Sequence, residues 1–214
     1  MPIELSAGPA AGLEIIKTHL STTNPEPVPF LAFQSQLQNG QLVAADDPIL
    51  PTEPASVALL AADPYPVYTV PFSITVEAVL NPKLTAWQYL LVKPDHSIHA
   101  LVELAVLPDG SVSFAELYPR EYAEWLAGTI NPALDVLDDH EAQYNLRLLR
   151  APSLSFQGFW LHHATDRSRD RIVAVGDGEP NYRHGQVMPE ATVLQLLGEI
   201  SASRLPNAGK FQFR

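Results

Sequence analysis

The chain contains no cysteine. Disulfides, thiolate nucleophiles and cysteine-ligated zinc are therefore excluded. Positive charge is scarce as well: 13 Lys and Arg stand against 24 Asp and Glu, for a net charge of −11. Such a chain is not expected to bind nucleic acid through its phosphates. No apolar run reaches the roughly 18 residues that a membrane span needs, so no membrane span is expected. The start, Met1-Pro2-Ile3-Glu4, lacks the basic and apolar segments of a secretory signal, and a cytoplasmic location is the expectation. The phosphate-binding GxxxxGKS/T loop, the dinucleotide-binding GxGxxG turn, the GxSxG nucleophile elbow and the HExxH zinc motif are all missing. These absences remove several common enzyme classes, and no cofactor is indicated.

What charge there is lies unevenly. Residues 1–119 hold Lys17, Lys83 and Lys93 against twelve acids, a net of −9, whereas residues 120–214 hold ten basic residues against twelve acids, a net of −2. An acidic surface attracts a basic protein partner and speeds the encounter. Solubility alone is the simpler explanation.

Residues 9–20 carry Leu13, Ile16 and Leu20 at helical spacing. Nine prolines between positions 25 and 71 impose extended connections there, with room for a short helix over 55–62 behind Pro54. Alternating apolar residues and turn signals then place strands near 67–80, 86–92, 98–107 and 111–118, joined as an antiparallel meander. A helix over 119–128 starts at Pro119, with Gly128 just past its end. An acidic helix follows over 133–141. A second β-rich segment covers 144–175, including an aromatic strand over 154–163 and a polar loop over 164–170. A helix over 189–204 closes the chain. The expected class is α+β: an antiparallel meander, a second β-rich segment and flanking helices. One domain over 1–214 is expected, with two sub-lobes, 1–128 and 129–214, as the alternative.

The hairpin inside the meander carries the main functional lead. Asp109-Gly110 suits a two-residue turn in which both central residues take positive φ. On that register Ile98, Ala100, Val102, Leu104, Val106, Ser113, Ala115 and Leu117 share a core face. The opposite face pairs Leu107 with Val112, Ala105 with Phe114, Glu103 with Glu116 and Leu101 with Tyr118. Like charges directly opposite destabilise a sheet. Screening by solvent and nearby cations, a bulge that separates the two glutamates, or a use for the paired carboxylates would each account for the pair. In the last case Glu103 and Glu116 form an acid/base couple, or join Glu77 and His99, which share their face, as metal ligands.

Other groupings are weaker. His162 and His163 should point to opposite faces of a strand, one half-buried beside Trp160 and one solvated, with Asp166 or Asp170 in reach of either. His96 and His99 flank a turn beside Asp95. Gly176-Asp177-Gly178-Glu179 lacks the ligand pattern of a calcium loop. Arg167, Arg169 and Arg171 could clamp an anion, but Asp166 and Asp170 in the same loop should neutralise them. The leading functional expectation is a non-catalytic protein-binding or accessory protein, of the inhibitor, immunity or adaptor kind, with a basic protein partner. A metal-dependent or acid/base hydrolase using Glu103 and Glu116 is the second. A structural homo-oligomer, such as a homodimer pairing its sheet edges, is the third.

Overall fold

The computed structural model describes residues 3–4, 8–20, 26–28, 59–70, 81–130, 144–177 and 181–204. In chain order the elements are β1 (Ile3–Glu4), α1 (Gly12–Leu20), β2 (Glu26–Val28), β3 (Leu60–Ala62), β4 (Tyr65–Thr69), β5 (Lys83–Val92), β6 (Ile98–Val106), β7 (Val112–Tyr118), α2 (Arg120–Gly128), β8 (Tyr144–Ala151), β9 (Phe156–His163), β10 (Arg171–Ala174), β11 (Val187–Pro189) and α3 (Glu190–Arg204). The strand pairing is mostly antiparallel and the class is α+β. Among the described residues no helix is long and apolar enough to cross a membrane. The chain forms two compact units, each discontinuous in sequence: Leu5–Tyr65 with Ala86–Asn131, and Met1–Glu4 with Pro66–Thr85 and Pro132–Arg214. The first holds twelve acids against three bases, a net of −9, and is called the acidic unit below.

In the acidic unit β5, β6 and β7 form three strands of the four-stranded meander expected, and β3 pairs antiparallel with β5 through Leu60↔Val92 and Ala61↔Leu91. One face of this sheet buries Tyr89, Leu91, Ala100, Val102 and Leu104 against Ile16 of α1. The apolar stripe read from the sequence is thus the stripe that packs. The helix expected over 55–62 is corrected at its end: residues 60–62 are strand, because β3 takes its hydrogen bonds from β5 on one side and from β2 on the other. Pairing between distant segments overrides weak local helix preference there. Residues 55–58 lie outside the described residues.

The hairpin register also differs from expectation, in one half only. Gly110 N donates to Leu107 O at 2.9 Å and Leu107 N to Ser111 O at 2.8 Å, with Gly110 at φ 84°. The loop is therefore Pro108-Asp109-Gly110, three residues in place of two. Leu104 pairs with Phe114, Ala105 with Ser113 and Val106 with Val112, so the expected pairs Ala105/Phe114 and Leu107/Val112 do not form. A bulge at Ala115 then restores the expected pairs Glu103↔Glu116 and Leu101↔Tyr118. The physical reason is burial. A one-residue shift exchanges the two faces of a strand, and this one turns Val112 and Phe114 toward the core in place of Ser113 and Ala115. Phe114 stacks on His19 of α1 at 4.6 Å.

Gly128 is the last residue of α2 and not a residue beyond it; Thr129 caps the end with φ −71°, and its hydroxyl donates to Trp125 O. No left-handed turn requires glycine here, and a Cβ at Gly128 would meet nothing within 4 Å. Gly128→Ala is expected to stabilise the protein by about 0.5–1 kcal/mol. A denaturant midpoint unchanged or lowered would contradict this.

In the other unit β11, β10, β9 and β8 run antiparallel in that order. β4 joins β8 in parallel through Val67↔Leu148, a pairing outside the meander expected for the strand at 67–80; residues 71–80 lie outside the described residues, as does the acidic helix expected over 133–141. Leu149, Phe156, Trp160 and Ile172 pack against Val193, Leu194 and Leu197 of α3. Pro152–Leu154 make a single 3-10 turn, and Ser155 sits at φ 56°, so the aromatic strand starts at Phe156.

All three Asp-x-Ser tripeptides of the chain form the same turn. In Asp95-His96-Ser97, Asp109-Gly110-Ser111 and Asp166-Arg167-Ser168 the aspartate Oδ1 accepts both the serine N–H, at 2.9–3.0 Å, and its hydroxyl, at 2.6–2.7 Å. These bonds, the serine hydroxyl's first, hold each carboxyl below the usual aspartate range.

Candidate functional site

Glu103 and Glu116 stand directly opposite in the β6–β7 ladder. Their side chains have different surroundings. Glu103 is half-buried, and its Oε2 accepts Nε2 of Gln88 at 2.7 Å and the Tyr118 hydroxyl at 3.4 Å. Gln88 is fully buried, and it is the register partner of Glu103 on β5. Glu116 is exposed. The like-charge pairing is thus relieved on one side by an amide and a phenol. Sequence parity placed Tyr118 on this face but did not reveal Gln88 as a partner, because the β5–β6 register is set by contacts that no turn motif announces.

His99 is exposed, on the same strand. Loss of hydration around its ring, then the positive charges of Lys93 and Arg120, hold its pKa below the ordinary histidine value. Its charged neighbours are therefore cations. Glu77 lies outside the described residues. Among the described residues no three His, Asp or Glu side chains gather as metal ligands.

A second cluster lies at the end of β9. Asp170 has no exposure at all. Its Oδ2 accepts Nε1 of Trp160 and Nδ1 of His162, each at 2.8 Å, and its Oδ1 accepts the backbone N–H of His163 at 2.8 Å. Of the loop arginines, Arg167 pairs with Glu190 of α3 at 2.8 Å, a partner from outside the loop. The two histidines diverge as strand parity requires. His162 is half-buried against Trp160, ring centroids 5.4 Å apart. His163 is buried, not solvated, and it packs edge-on against Tyr144 at 5.1 Å. Its Nδ1 accepts the N–H groups of Thr165 and Asp166, so its proton is on Nε2. The turn that closes the loop needs this acceptor, and that need draws the ring inward.

The same sheet face carries Arg147, opposite Trp160, and Asn145, opposite His162. The Arg147 guanidinium lies over Trp160 at 4.9 Å and over Tyr68 at 5.2 Å. Sequence reading passed over Arg147; the only signal was an arginine at a half-exposed strand position facing an aromatic strand.

Clefts lie elsewhere on the described residues. One of about 890 Å³ runs along the first turns of α3, lined by Arg167, Ser168, Glu190, Leu194 and Gln195. A smaller one of about 240 Å³ in the acidic unit is bounded by Gly8, Leu13, Asp63 and Tyr89. Neither contains Glu103 or Glu116. Comparison with family models, with curated proteins and with solved structures returns no match.

Proposed function

We propose that the chain is a non-catalytic binding protein, and that its acidic unit holds a basic segment of another protein. The observation that carries this reading is an aromatic ladder on an acidic surface. Tyr118 at the end of β7 stacks on Tyr122 of α2 at 4.8 Å, and Tyr122 meets Trp125 at 5.7 Å. Trp125 is 42% exposed. Exposed Glu116 and Glu121 flank the rings, in a unit of net charge −9. Ring faces attract guanidinium and ammonium groups, and carboxylates at the rim add steering and specificity. The bulge at Ala115 favours this reading over a homo-oligomer built on β7, because bulges twist an edge strand away from pairing.

The test is a titration with a synthetic octapeptide of alternating Arg and Ala, followed by amide spectra of the whole protein. Saturable shifts at Tyr118, Tyr122 and Trp125 are expected. They should weaken as salt rises and fall by about two- to fivefold in Trp125→Ala, the equivalent of a lost exposed cation–π contact of about 0.5–1 kcal/mol. The matching Glu-Ala peptide should give none. Equal response to both peptides, or shifts elsewhere only, would overturn the proposal. A concentration-dependent dimer that buries Trp125 would replace it with the homo-oligomer.

A further inference from the structure

We propose a second binding site, for a small oxyanion, on the β8–β9 face outside the acidic unit, with Arg147 and His162 as its ligating groups. The first observation is the state of Arg147. A guanidinium carries five N–H donors and normally spends them on carboxylates, carbonyls or water. This one is half-buried, is held over two aromatic rings, and makes no hydrogen bond or ion pair with a described residue. A guanidinium that lies on rings by its flat faces keeps its N–H edge for a carboxylate or phosphate, which accepts two bonds side by side.

The second observation is the fixed orientation of His162. Its Nδ1 is tied to a carboxylate that is itself fully buried and held by two further donors. The ring cannot turn without breaking that bond, so Nε2 is presented in one direction. Among the described residues Nε2 has no partner, and the side chain keeps 25% of its exposure. In its protonated form the ring gives Nδ1–H to Asp170 and Nε2–H to whatever faces it.

Register brings the two together. Arg147 pairs directly with Trp160, and His162 is two residues on along the same strand. Both therefore stand on one face as diagonal neighbours, about 7 Å apart between Cβ atoms, with Trp160 between them at 4.9 Å from the guanidinium and 5.4 Å from the imidazole. Asn145, the partner of His162, adds an amide donor at the half-buried fourth corner. A guanidinium, an imidazole and an amide over an indole floor suit a compact anion. The shared chemistry is an oxyanion with at least two oxygens, from a phosphate group or from a carboxylate.

The experiment is a titration of the whole protein with inorganic phosphate, with succinate and with chloride at matched ionic strength. The side-chain resonances of Arg147 Nε and His162 Nε2 are followed. Saturable movement of both with phosphate, with succinate or with both is expected, and whichever binds tighter names the source; chloride should give no saturation. Arg147→Met keeps the apolar stem over the rings and should weaken binding at least about tenfold, with His162→Gln weakening it by a similar factor. The Trp160 indole N–H signal, bonded to Asp170, reports that the variants keep the fold. Linear, chloride-like shifts, or saturation unchanged in Arg147→Met with the indole signal intact, would overturn the site. If the indole signal is lost, Arg147→Lys decides: it keeps a charge but not the paired donors, so unchanged affinity in that variant also overturns the site.

Discussion

Asp170→Ala is expected to remove about 3–5 kcal/mol of stability, the usual cost of taking one partner from a buried charged network. That is a large part of the 5–15 kcal/mol typical of a whole domain. The Trp160 indole and the His163 amide can only donate, and both are directed at the Asp170 oxygens together with Nδ1 of His162. Alanine leaves these donors facing a void in a place with no exposure. Asp170→Asn should cost less, about 1–3 kcal/mol. Its amide oxygen serves one side of the group, and its NH2 then faces an obligatory donor on the other. Chemical denaturation measures the order. Asp170→Ala within about 1 kcal/mol of the parent would mean that water replaces the carboxylate, and that the network is not structural.

Gly12→Ala should destabilise the acidic unit by about 2 kcal/mol or more, in the range of overpacked cores. A Cβ at Gly12 would collide with the Tyr89 hydroxyl and come within 2.9 Å of its Cζ. Tyr89 is 3% exposed on a central strand and cannot retreat. The pair makes its own control: in a Tyr89→Phe background the hydroxyl is gone, and the cost of Gly12→Ala should fall by about half while the Cζ contact persists. Additive costs in the double variant would refute the contact. Tyr89 also predicts an alkaline weakness. Burial pushes its pKa up to about 12, while the unfolded chain ionises near 10. Between these values the unfolded state has lost the proton and the folded state retains it, so stability falls as pH rises from 10 to 12, by about 3 kcal/mol for this group. Tyr89→Phe should flatten that part of the profile.

Local chemistry was legible in the sequence; long-range satisfaction was not. Helices α1, α2 and α3 were found from apolar spacing and proline, because those signals lie within a few residues. The Asp-x-Ser turns, which the sequence reading did not single out, are as local: all their bonds close inside three residues. Residues 60–62 read as helix in the sequence because strand β3 exists through partners 30 or more positions away along the chain, on β5 and on β2. Glu103 opposite Glu116 was legible from parity, whereas Gln88 was not. The fate of Asp170 was hidden for a related reason: a loop aspartate among arginines reads as a surface charge, and only the inward turn of the strand end shows that an indole, an imidazole and an amide claim it.

The bulge at Ala115 has a meaning for descent. Before it, even-numbered residues of β7 (Val112, Phe114) face the α1 core; after it, even-numbered residues (Glu116, Tyr118) face the other way. Ala115 acts on the strand as a frameshift acts on a gene, and two segments with opposite phase remain in register on either side. Removing that one residue would leave Phe114 and Glu116 on the faces they already occupy. A related chain lacking it would therefore alternate without interruption through this strand, and a single gap at that column of an alignment would mark the same structure rather than a different one.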